Sequence, residues 1–135
     1  MTQASARNEP VLAPDETRAW YWYQKAAAAG EPNALARLAE KSDSAALAER
    51  NAAKKNALLL KSFEYYAAAA ERARREDWPD DAWRGWRYHR ASLARLLARE
   101  GIMQQVKDVY DAVCTQYGAS QPTLKERLTG YFGRH

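Results

Sequence analysis

Cysteine is nearly missing from this chain. Cys114 is the only one, which excludes an internal disulfide, leaves no second thiolate for a cysteine-ligated zinc and makes a reducing compartment the simplest setting. Histidine is almost as scarce: His89 and His135 stand alone, neither in an HExxH or similar metal-ligand spacing. The 6 glycines form no phosphate-cradling loop and no GxSxG elbow. Valine, isoleucine and threonine are few, which argues against a fold built on strands. No apolar run approaches the roughly 20 residues that span a bilayer, and the opening MTQASARNEPVLAPDETR lacks the basic-then-apolar layout of a signal peptide. These absences predict a soluble, cytoplasmic, non-enzymatic chain with no cofactor, no metal and no membrane insertion.

What is present points to helices. The 135 residues are 47% hydrophobic, enough for a real core and too many for a disordered chain. Alanine, leucine, arginine and glutamate, all strong helix formers, dominate. The net charge of +4 is mild, and a dedicated nucleic-acid binder usually shows a larger, clustered excess.

The pattern divides the chain into a flexible leader (1–14), a helical repeat-like domain (15–118) and a short C-terminal helix and tail (119–135). A first helix, capped by Asp15 or Thr17, runs to about Ala29. Gly30 suits the left-handed residue that ends it, and Pro32 the first turn of the next helix. Ala34, Leu35, Leu38 and Ala39 form the apolar face of a second, shorter helix, and a new helix begins near Ser44 as cap. Phe63, Tyr66, Ala67 and Ala70 then keep helical spacing until Pro79 disturbs Trp78. A fourth helix covers 81–99 with Trp86, Leu93, Leu96 and Leu97 on its core face, and Gly101 ends it. A fifth covers 102–117 with Val106, Val109, Tyr110, Val113 and Tyr117 in register before Gly118, and a sixth covers 121–128. The fold class expected is all-α, a compact array of antiparallel helix hairpins with about five to six helices.

The stretch AWYWYQKAAAAGEPNALARLA resembles the Sel-1-like repeat, a relative of the tetratricopeptide repeat. Ala19, Trp22, Tyr23, Lys25, Ala26, Ala27, Gly30, Ala34 and Leu38 occupy that unit's places. The resemblance implies that the small residues let two helices approach closely while the aromatic rings fill the wedge between hairpins. A weaker copy, KSFEYYAAAAER, sets Phe63, Tyr66 and Ala70 in the same order 43 residues further on. It lacks the glycine that should follow its alanines, and its helix continues into ERARRED.

The stretch richest in binding chemistry is 71–99. Eight arginines and five acids, a surplus of three positive charges, interleave with Trp78, Trp83, Trp86 and Tyr88. Arginine, tryptophan and tyrosine carry much of the energy at protein interfaces, and the same mixture can stack bases and contact phosphates. The candidate partner-binding residues are Trp83, Arg84, Arg87, Tyr88, Arg74 and Trp78. The competing reading makes Trp83, Trp86, Arg90, Leu93 and Leu97 a core seam. Glu76, Asp77, Asp80 and Asp81 read as capping and charge-balancing acids rather than a catalytic pair. His89 reads as a packed helix residue, and Cys114 as a small buried hydrophobe.

These features predict a non-enzymatic protein-protein interaction module. The resemblance implies a bacterial adaptor, or an immunity protein that masks a toxin or secreted effector, commonly alongside type VI secretion systems. The alternative is nucleic-acid binding by the arginine-rich fourth helix. Exposed repeat ends leave self-association open.

Overall fold

The computed structural model describes residues 14–119, and the expected helix over 121–128 lies outside them. The fold is all-α, a compact array of antiparallel helix hairpins: α1 (Pro14–Ala28), α2 (Pro32–Ala48), α3 (Ala52–Arg75), α4 (Asp80–Arg99) and α5 (Met103–Val113), which continues as a π-helical turn, Cys114–Ala119. Helix α3 is the hub. It packs along α2 on one side and α4 on another, and α5 with its π turn crosses it, whereas α1 rests mainly on α2.

Three of the four connections use one device. After α1, Gly30 N–H donates to Ala27 O and Glu31 N–H to Ala26 O; after α4, Gly101 N–H donates to Ala98 O and Ile102 N–H to Leu97 O. After α3 the same pair of bonds runs from Asp77 to Arg74 and from Trp78 to Ala73. Each is a Schellman turn, which needs a left-handed residue at its corner. Gly30 has φ 87°, Gly101 φ 83° and Asp77 φ 60°. The corner after α3 is thus turned by a left-handed aspartate rather than a glycine.

The remaining connection corrects the sequence reading. Ser44 does not begin a helix; α2 passes straight through it to Ala48, because Ala39 and Ala46 both pack into the core from this one helix. The start of α3 is instead set by Asn51, whose side chain accepts a 2.9 Å hydrogen bond from Lys54 N–H. Neither Asp15 nor Thr17 lies ahead of the first helix, since α1 begins at Pro14 and includes both. Winding also continues past Gly118 to Ala119.

Ala67, Ala68, Ala69 and Ala70 are all fully buried. Four consecutive helical residues point in every direction around the axis, so this turn of α3 is enclosed on all sides, and only a methyl group fits between it and its neighbours. Two hydrophobic clusters meet here. One joins Ala27, Leu35 and Leu38 to Ala67–Ala69, Val113 and Tyr117. The other joins Ala39 and Ala46 to Leu59, Phe63, Tyr66, Leu93, Leu97 and Val106. Tyr65, Trp86 and Val109 pack against both. The buried Ser62 hydroxyl donates to Ala39 O at 2.9 Å and pins α3 to α2.

Candidate binding faces

The residues proposed to bind a partner do not form one exposed patch. Trp78, Trp83, Arg84 and Arg87 come together at the α3–α4 corner, and there they are largely engaged with one another. Pro79 begins α4 and places Asp80 and Asp81 in its first turn. Asp81 holds Arg84 at 2.6 Å and Asp80 holds Arg87 at 2.8 Å. The Arg87 guanidinium lies 4.4 Å above the Trp83 ring, and Trp83 Nε1–H donates to Trp78 O at 3.3 Å. Trp78 in turn packs against Trp86, with ring centroids 5.9 Å apart. These acids balance charge, while the Pro79 cap position makes no side-chain cap bond.

Arg74 lies apart from this group. It pairs with Glu71, whose hydrogen bond, against the opposing effect of burial, raises the guanidinium pKa above its ordinary value; Cys114 and Tyr110 on the far end of α5 also contribute. Tyr88 is 65% exposed and meets only the edge of His89 at 5.7 Å. His89 itself lies flat on the buried Tyr66 ring, 4.9 Å between centroids. Cys114 is half-buried, and Arg90 lies over the Tyr110 ring at 5.8 Å rather than beside a carboxylate. Of the candidate seam, Leu93 and Leu97 are buried and Trp83, Trp86 and Arg90 half-buried; Leu96, one step off it, is 36% exposed.

The largest departure from the sequence reading is Trp22. Ala27, Gly30, Ala34, Leu38, Phe63, Tyr66 and Ala70 are buried, and Ala19, Tyr23 and Ala26 are half-buried. Trp22, expected in the wedge between hairpins, is 57% exposed. The aromatic residue that packs inward is Trp20, one turn edge to Tyr23 at 5.3 Å, and the Lys41 ammonium lies 4.7 Å above its ring. Trp22 instead stands on the rim of an open groove of about 600 Å³. Trp22, Tyr23 and Ala26 of α1, Ala36 and Arg37 of α2 and Trp86 of α4 line it.

This groove combines an exposed aromatic ring with small alanine side chains and the polar side chains of Glu31, Asn33, Arg37 and Glu40. Arg37 in its lining is paired with Glu40 at 3.2 Å. Among the described residues no group of three or more His, Cys, Asp or Glu side chains is arranged to hold a metal, and no helix is long and apolar enough to cross a membrane. No family model, curated protein or solved structure matches this chain.

Proposed function

We propose that this chain is a non-enzymatic protein-protein interaction module of the Sel-1-like, tetratricopeptide-like kind, and that it seats a segment of its partner in the groove between α1, α2 and α4. The observation that carries the reading is Trp22, 57% exposed on the rim of a concavity of about 600 Å³. A large ring left out of the core beside a ready-made recess is the pattern of an interface anchor. The resemblance extends the proposal to the partner: a toxin or secreted effector, which the chain masks as an immunity protein or presents as an adaptor in the bacterial cytoplasm.

Two of the five arginines of α4 favour this reading over nucleic-acid binding. Arg84 and Arg87 are already held by Asp81 and Asp80, so a phosphate would have to displace an intramolecular carboxylate. The test is affinity capture from the native lysate with wild-type and Trp22→Ala protein, at low and severalfold higher salt, with and without nuclease. One protein retained at high salt, and weakened about tenfold or more by Trp22→Ala, is the expected result. Material that elutes with salt and vanishes with nuclease would overturn it.

A further inference from the structure

A second groove lies on another face. Helices α4 and α5 both pack on α3 and meet at the Gly101 turn, but Ala91 and Ala94 on α4 are too small to fill the space between them. The result is a recess of about 400 Å³ with the buried Phe63 ring beneath it and Met103 and Tyr110 along its α5 side. Met103 is 40% exposed and Tyr110 38%. They are seven residues apart, so the apolar strip extends for about two helical turns.

Among the described residues, several arginines are paired with the chain's own carboxylates, whereas the two cations at this recess, like a number of others on the surface, are not. Arg37, Arg72, Arg74, Arg84 and Arg87 each hold a carboxylate of the chain. Arg90 and Lys107, which line the recess from α4 and α5, enter none of the ion pairs among the described residues. Asp111 is also in the lining and offsets only one of the two. The recess therefore combines an apolar floor with a surplus of one positive charge in its lining.

We propose that the α4–α5 groove is a docking site for an acidic amphipathic helix of a partner protein. Apolar side chains at i, i+3 or i+4, and i+7 of that helix seat between Met103 and Tyr110 above Phe63, and its flanking Asp or Glu residues meet Arg90 and Lys107. Charge complementarity selects the acidic partner. A helix suits the site because its walls are themselves two helices, and methionine adapts to whichever apolar residue arrives. A polyanion is a poor match, since Phe63, Ala91 and Ala94 offer phosphates nothing. This site is independent of the Trp22 groove and survives the failure of that reading.

The experiment is selection of a displayed helical-peptide library against the wild-type chain, with Arg90→Glu/Lys107→Glu as the counter-target. Circular dichroism checks the fold of the counter-target, and Lys107→Glu alone, on an exposed side chain, serves if the double variant unfolds. The expected pool carries Asp or Glu around spaced apolar anchors, binds the counter-target about tenfold or more weakly, and shifts the amide resonances of Ala91, Ala94 and Tyr110. A pool with no acidic bias, or one that binds both targets equally, would overturn the proposal. So would a wild-type chain that dimerises through this groove and excludes the peptides, or a single-stranded oligonucleotide that displaces them at equal concentration.

Discussion

The Tyr66 phenol shows how much one buried hydroxyl can report. Its ring is sealed between α3 and α4 against His89, and burial, followed by the charges of Glu40 and Asp43 on α2, pushes its pKa up to about 12 from an ordinary 10. Below pH 10 the group is neutral folded or unfolded, and its packing contributes in full. Between pH 10 and 12 the unfolded chain releases the proton first, so stability falls through that window, by about 2 kcal/mol for this group. Denaturant titrations at pH 9 and pH 11.5 on the wild type and Tyr66→Phe should show the wild type losing about that much more than the variant. An equal loss in both would mean that the phenol is not the group responsible. The sequence revealed Tyr66 as a buried helix-face residue through its spacing from Phe63 and Ala70. It did not reveal that Trp20 rather than Trp22 turns inward, because adjacent aromatics on α1 share overlapping faces and only the position of α2 decides between them.

The helices are defined as much by their stops as by their faces. Gly101 has open space around the position of an added Cβ, so Gly101→Ala tests backbone strain alone; it should cost about 1 kcal/mol. Asp77→Gly relieves the same strain at the equivalent corner but also removes a side chain that is itself engaged, so any gain should be smaller than the loss at Gly101, read as unequal shifts in thermal midpoint. If Asp77→Gly destabilises the chain, the aspartate side chain does more than occupy the turn. Gly30 and Gly101 were legible as stops from sequence. Asp77 was not, because an aspartate beside a proline reads equally well as a turn or a helix cap. The break placed at Ser44 fails for a related reason: Ser42, Asp43 and Ser44 have weak helix propensity, and burial of Ala39 and Ala46 on one continuous face overrides it.

At the scale of the whole molecule, Tyr65, Trp86 and Val109 join the two hydrophobic clusters, so α2 through α5 should unfold as one cooperative unit rather than hairpin by hairpin. Helix α1, resting mainly on α2, is the exception. Native-state hydrogen exchange should find the slowest amides around Ala67–Ala70 in α3, and α1 opening at a lower free energy than the rest. Uniform protection across α1 and α3 would contradict this. The helical class and most hairpin boundaries were legible because they follow from alanine-rich periodicity and glycine stops. The recesses were not, because each is bounded by side chains from separate helices whose packing sets the gap: Trp22 with Trp86, and Ala91 with Tyr110. Neither pair is visible until the chain is folded.

The exposure of Trp22 also gives the molecule a built-in optical probe. Of the 5 tryptophans, Trp20, Trp78, Trp83 and Trp86 are at least half shielded, and Trp22 alone is open to solvent. A soluble collisional quencher would therefore extinguish mainly the emission of this one indole. Whatever settles into the α1–α2–α4 groove would restore its light, and occupancy of that face could be followed in unlabelled protein.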